Sequence, residues 1–418
     1  MRQFRSAGRI ALAVLGGLVV AGCGATANGS SPTAQNQTLT VYSDLPVAGP
    51  DQARQESIVN GEKLALYQAG GHVGRFHISF ASLDDADAKA GAWTPQDTLA
   101  AARTASQDTT TIAYIGDWDS GASAISLPLL NETGVLQVSP ASTYVGLTDD
   151  SPTDGRGEPD RYYPAGGPRT FARLEPTDAV EAQAIVDYME ALGVHRVYVI
   201  GDYDVFDADI AGIVARDAPA GGITIAGQTQ LDTTVVGTKP SDYAKAAARA
   251  TSQADAVVFG GSPGPGAQAL WQALHDAGPQ VKLFAASSLA TPAFVAAAGP
   301  AAPESYVTSP VLELAQYPPA AQQVLHAYQA AFGTPATAYS LYGYEAMSAI
   351  LASIRAAGPL GSDRAAVVRE FFALRNRDSV LGRYSITPTG DTTLANMAGY
   401  TIDSSGRLQF DRDLTTGG

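Results

Sequence analysis

Short apolar runs rich in β-branched residues alternate with longer stretches of helical period, and the alternation occurs twice along the chain. Leu39–Ser43, Phe76–Phe80, Thr111–Ile115 and Val135–Val138 read as strands. Helices are predicted between them over Gln52–Gln68, Pro95–Gln107 and about Ser120–Glu132. A loop at 144–170, rich in Gly, Pro and Asp, interrupts the pattern. It restarts with predicted strands at Arg196–Ile200, Ile223–Gln228, Ala256–Phe259 and Val281–Ala285. The helices expected with them are Asp178–Leu192, Phe206–Arg216, Ser241–Ser252 and Ala267–Ala277. Three further helices, near Pro319–Phe332, Tyr339–Ala356 and Asp363–Leu374, precede short strands near Arg383–Ile386 and Ala398–Ile402. Strands that alternate with helices demand a mostly parallel sheet with right-handed crossovers. Parallel sheets bind ligands at the carboxyl ends of their strands. Two such α/β lobes facing each other therefore predict a binding cleft.

Composition narrows the chemistry. Of 418 residues, 45% are hydrophobic and 16% charged, enough to bury a sizeable core. Lys+Arg number 26 against Asp+Glu 41, a net charge of -15 that argues against a nucleic-acid partner. A single Cys excludes a disulfide framework and any CxxC metal site, and five scattered His offer no metal centre. No metal or cofactor is expected.

The amino terminus reads as an address. Arg2, Arg5 and Arg9 form a positive region, followed by an apolar run from Ile10 to Ala21 that is too short to span a bilayer. Residues 1–22 are thus a signal peptide. Val20-Ala21-Gly22-Cys23 looks like a bacterial lipobox, which would place a lipid on Cys23; the alternative is a generic secretory signal with a chance Cys. Residues 23–38, small and polar, read as a flexible tether.

Several stretches resemble the extracytoplasmic solute-binding proteins of ABC importers, in the branched-chain amino-acid family. They include Leu45-Pro46-Val47-Ala48-Gly49-Pro50, Asn60-Gly61 with Ala65, and Gly116-Asp117-Trp118-Asp119-Ser120-Gly121. Next come Val138-Ser139-Pro140-Ala141-Ser142-Thr143, Phe171-Ala172-Arg173-Leu174 with Asp178, Gly260-Gly261 and Tyr342-Gly343-Tyr344-Glu345-Ala346. The resemblance implies a type I periplasmic binding fold: two Rossmann-like lobes joined by three hinge crossovers, near Arg173, Ser309 and Leu381. Lobe one would be 39–172 plus 310–380, and lobe two 173–308 plus 381–418. It also implies a monomer that delivers a small-molecule solute to an ABC permease, anchored outside the cytoplasm in the periplasm or on the outer cell surface.

The family holds a ligand carboxylate with hydroxyls and backbone N–H groups in the loops after the third and fourth strands. The matching residues here are Ser120 and the Ser142-Thr143 pair. Loops that open a helix or turn offer free N–H groups to an anion. Ser120 is equally suited to cap the following helix. Trp118 is placed to stack on a ligand or to pack in the core. Arg54 stands where the family has an aromatic, and would either pair with an anionic group or lie solvated on its helix. After Gly260-Gly261 the family places an acid that takes an ammonium; here Pro265 holds that position. An unpaired ammonium in a closed cleft is costly, so either another acid substitutes or the ligand differs. Candidates lie in Gly201-Asp202-Tyr203-Asp204-Val205-Phe206-Asp207, where Tyr203 or Phe206 would supply an aromatic and Asp202 or Asp204 an acid. The same acids would also suit the dipole of the next helix.

Enzyme chemistry is not expected. Trp118-Asp119-Ser120-Gly121-Ala122 lacks the leading Gly of a nucleophile elbow, and the Gly-rich 261–266 stretch is neither a dinucleotide fingerprint nor a P-loop. Transport and ligand sensing use the same cleft, and the sequence leaves both open. The ligand class is open as well, spanning branched-chain and related amino acids, amides and carboxylates.

Overall fold

The computed structural model describes residues 37–49, 51–87, 92–150, 157–163, 166–204, 206, 209–233 and 239–415. The signal peptide, Cys23, most of the tether, and Pro50, Val205 and Asp207 of the quoted stretches lie outside the described residues.

The first sheet has six strands, in the order His72–Val73, Phe76–Leu83, Gln37–Asp44, Thr111–Ile115, Leu136–Ser139 and Phe171–Arg173. All its pairings are parallel except the small His72–Val73 hairpin. Thr111–Ile115 is buried at every residue, as expected of a parallel strand covered on both faces. The second sheet has seven strands, in the order Thr224–Gln230, Arg196–Gly201, Ala256–Gly260, Lys282–Ala285, Ser305–Ser309, Ala398–Ile402 and Leu408–Asp413. Its first five strands are joined by parallel pairings and the last two are added by antiparallel ones. The fold is the expected one: mixed α/β, two lobes, mostly parallel sheets.

The helices follow local chemistry. Thr94 caps the helix Pro95–Gln107 by accepting the Asp97 N–H at 3.2 Å, with Pro95 at the first helical position. The helices Gln52–Gln68 and Ala338–Ala357 meet through glycines. A Cβ on Gly61 would lie 2.1 Å from the Ser340 carbonyl oxygen, and one on Gly343 2.2 Å from that of Ile58. Only hydrogen fits at this crossing. No described helix is long and apolar enough to cross a membrane.

Several elements differ from expectation. The first strand begins at Gln37, inside the stretch read as tether. Phe171–Arg173, Ser305–Ser309 and Leu408–Asp413 are strands that periodicity missed: the first has only three residues, and the other two, SYVTS and LQFDRD, lack the apolar run that marks the rest. The helix expected from Phe206 starts at Asp209. Among the described residues the chain passes between the two sheets after Arg173, after Ser309 and again before Ala398. The last passage is later than the expected Leu381, since Leu381, Tyr384, Ile386 and Leu394 are buried in the core beneath the first sheet.

Candidate functional site

A cavity of about 370 Å³ lies where the carboxyl ends of the two sheets face each other. Its lining residues follow the strands in order. Pro46 comes after the first strand, Trp118 and Ser120 after Thr111–Ile115, and Thr143 after Leu136–Ser139. Opposite them, Phe206 follows Arg196–Gly201, Ser262 follows Ala256–Gly260, and Ser287 follows Lys282–Ala285. This is the placement that parallel α/β sheets impose on a ligand site, and the volume suits one small solute.

Ser120 opens the helix Ser120–Glu132, and Asp119 is the capping residue. The Ser120 Oγ accepts the N–H groups of Thr143 (3.1 Å) and Tyr144 (3.2 Å). It therefore ties the two expected loops together, and its own hydrogen is left to donate. Thr143 lines the cavity and hydrogen-bonds Asp178. Ser142 does not line it. That hydroxyl is fully buried, 2.8 Å from Ser123 Oγ and 3.2 Å from the Asp117 carbonyl it donates to, so it holds the loop rather than a ligand. Arg173, also fully buried, donates to the carbonyls of Ser142 (3.1 Å) and Tyr144 (2.8 Å) and to Asp391 (2.8 Å).

Arg54 is half-buried in the cavity wall and not solvated on its helix. Its guanidinium lies 5.6 Å from the Trp118 ring centroid and 5.5 Å from that of Tyr339. It pairs with Asp51 at 3.7 Å and donates across the cleft to the Ala290 carbonyl at 3.4 Å. Trp118 fills both roles considered for it: it packs against Leu45, Ile58 and Val59, and it lines the cavity.

In lobe two, Phe206 lines the cavity and meets Tyr144 edge to face at 5.2 Å. Tyr203 does not; it is 64% exposed. Asp202 is also set aside from the cavity. Its carboxylate is buried and accepts from the Ser262 N–H (2.7 Å), the Asp204 N–H (3.0 Å) and the Thr233 hydroxyl (3.0 Å). Asp204 lines the cavity and accepts the Phe206 N–H at 2.9 Å. Pro265 starts the helix Pro265–Ala277 and is not in the lining, which here consists of Ser262 and Pro263.

Two acids that sequence reasoning did not assign to the site lie in its wall. Glu175 follows the first passage between the lobes, and Asp178 opens the helix Asp178–Ala191. Burial pushes both carboxyls well above their ordinary range. Glu181 raises both further, whereas Arg54 opposes the shift at Glu175 and Thr143 and Arg173 oppose it at Asp178. The signal for Glu175 was a lone acid between Leu174 and Pro176 in a crossing segment.

Behind the wall, Asp44, Asp85 and Asp117 converge from the ends of three neighbouring strands. Among the described residues they are the acids spaced closely enough to share an ion, with one oxygen of each within 4.8 Å of the others. None lines the cavity. The Tyr114 hydroxyl lies between Asp44 (2.7 Å) and Asp117 (2.8 Å), and Thr98 donates to Asp85 (3.1 Å). Burial raises Asp44 to about 9, with Asp117 and Asp85 adding to the shift.

A two-lobed α/β fold with a polar cavity at facing strand ends defines a solute-binding protein. The chain belongs to the periplasmic binding protein family, whose pattern matches residues 45–407. No curated protein sequence matches it. Among solved structures it is similar to a leucine-binding protein of Thermotoga maritima, with a TM-score of 0.72, 19% identity, and 90% of this chain and 98% of that one covered. An ABC transporter substrate-binding protein of Desulfitobacterium hafniense in complex with Leu gives 0.71 at 19% identity, covering 90% and 100%. A solute-binding protein of an R. palustris ABC transporter in complex with benzoate gives 0.69 at 18% identity, covering 90% and 96%.

Proposed function

We propose that this protein is a lipid-anchored extracytoplasmic solute-binding protein that captures a small polar solute in the cleft and delivers it to an ABC permease. The observation that carries this reading is the cavity itself, walled by both lobes at their strand ends. One end of the solute is a carboxylate or amide. The Ser120 hydroxyl, with its acceptor capacity used by two amides, has its proton to give, and the Arg54 guanidinium lies in the same wall. The structural relatives named above, two associated with leucine and one with benzoate, fit a ligand of this size. Three passages between the lobes support closure by bending.

The test is a thermal-shift screen of the soluble form from residue 24 onward against amino acids, their amides, and mono- and dicarboxylates. Ligand at a hundred times its dissociation constant stabilises the folded state by about 2.7 kcal/mol. A stabilising compound, with scattering profiles that contract on its addition, supports the reading. A protein that is stabilised by nothing and never contracts refutes it.

A further inference from the structure

The five His of the chain form no motif in the sequence, yet the fold sets two of them opposite each other. His72 and His77 are direct partners in the antiparallel hairpin that joins His72–Val73 to Phe76–Leu83. Its turn is Gly74-Arg75, with Gly74 at φ +57°, a two-residue connection that holds the strands in register. Beyond the pair, Ile78 donates its N–H to the Gly71 carbonyl at 2.9 Å. Hydrogen-bonded and non-hydrogen-bonded pairs alternate along an antiparallel ladder. His72 and His77 therefore form a non-hydrogen-bonded pair, the kind whose side chains stand closer, with Cβ atoms about 4.5–5.5 Å apart.

Burial alternates with the pleat. Val73, Phe76 and Ile78 are buried in the core of lobe one, whereas His72 and His77 are exposed. Both imidazoles thus stand on the solvent face. Among the described residues, neither ring takes part in a hydrogen bond or ion pair. His275 is by contrast engaged by Glu304 at 3.3 Å. The neighbouring cation, Arg75, is spent elsewhere: it donates to the Pro359 carbonyl at 3.0 Å and lies 4.9 Å from the Phe76 ring centroid.

We infer that His72 and His77 together chelate one divalent transition-metal ion of the copper, nickel or zinc class. Imidazole nitrogen suits these ions, whereas calcium and magnesium call for oxygen ligands. The two rings fill two coordination positions, and water or a group on another molecule takes the rest. The site lies at the amino ends of the strands in the first sheet. His77 is the second residue of Phe76–Leu83 and pairs with Thr38, near the start of the first strand. The solute cavity lies at the carboxyl ends, about 20 Å away at about 3.3 Å per residue. The ion clips the edge strand to its neighbour and takes no part in holding the solute.

The experiment titrates the untagged soluble form, from residue 24 onward, with nickel, zinc and copper(II) chlorides by calorimetry, and with calcium and magnesium chlorides for comparison. One nickel or copper(II) ion per chain is expected, bound about tenfold or more tightly than calcium or magnesium. Outer-shell partners of a metal are alone worth about 10–100-fold in affinity, so loss of a ligand costs no less. His72→Ala and His77→Ala are therefore each expected to weaken binding about tenfold or more. His195→Ala and His326→Ala, exposed elsewhere, should leave it unchanged. The copper(II) electron paramagnetic resonance spectrum should show nitrogen coupling that diminishes in either hairpin variant.

Both positions are exposed, so the metal-free variants should melt with the parent. Added nickel should raise the melting temperature of the parent and of neither variant. His72→Gln and His77→Gln repeat the comparison with a polar side chain kept at each position. Absence of transition-metal binding in the parent overturns the inference. So does affinity that is unchanged in both variants, or that falls in only one of them. Preferential binding of calcium would assign the ion to oxygen donors and overturn it as well.

Discussion

Glu62 shows how a single buried group sets a pH response. It lies fully buried on the helix Gln52–Gln68, and neither carboxyl oxygen has a hydrogen-bond partner at bonding distance. Burial raises it from 4.5 to about 8. The folded state then holds a proton that the unfolded state has lost, so this group costs stability as pH rises from 4.5 to about 8. Glu62→Gln is expected to match the parent's melting temperature near pH 4.5 and to exceed it increasingly up to pH 8. Melting curves across that range check this; a constant difference would assign the effect to packing. Ser120→Ala removes the acceptor for two amides and the donor proposed to meet the solute. It is expected to weaken binding about tenfold or more, at roughly 1–3 kcal/mol per unsatisfied buried partner. Single residues were only partly legible in the sequence. The loop positions of Ser120 and Thr143 follow from the strand pattern. Which of Ser139, Ser142 and Thr143 turns outward depends on the Ser139 and Ser142 bonds to the Asp117 carbonyl, and no local pattern encodes these.

Among the elements, the helix pair Gln52–Gln68 and Ala338–Ala357 carries the most specific packing. Gly61→Ala would drive a methyl into the Ser340 carbonyl, which is backbone and has no rotamer to yield. Overpacking typically costs about 1–3 kcal/mol, and a backbone clash falls at the upper end. Urea midpoints are expected to drop for Gly61→Ala and to stay unchanged for Gly167→Ala, where a Cβ meets nothing within 4 Å. A neutral Gly61→Ala would mean that the helices separate freely. Most helices and all the long strands were readable, because helical and strand periods persist over enough residues to be distinguished. The strands without an apolar run of their own were not. Phe171–Arg173 joins the sheet only because Leu136–Ser139 is already there to pair with it. The acid at Glu175 escaped for the same reason, since its position is set by a passage between lobes and by no element of its own.

For the whole molecule, residency in the envelope is separable from binding. Cys23→Ser is expected to move the protein from the membrane fraction to the soluble fraction while leaving solute affinity unchanged, as fractionation and calorimetry would show. Retention of the variant on the membrane would refute lipid attachment at that residue. The passages between lobes are not independent of one another. Arg173 donates its backbone N–H to the Gly390 carbonyl at 3.0 Å and its side chain to Asp391, so the first passage is bolted to the 387–391 turn near the last one. Gly390 permits this approach, since a Cβ there would lie 2.2 Å from the Phe171 carbonyl oxygen. Under the proposed closure by bending, a hinge bolted in this way has one soft direction, and every solute waits on the same opening and shutting. Arrival rates should then be nearly common to all solutes, and the protein would choose among them by residence time. In a mixed environment, a poor ligand is released before it can hold the cleft against a better one.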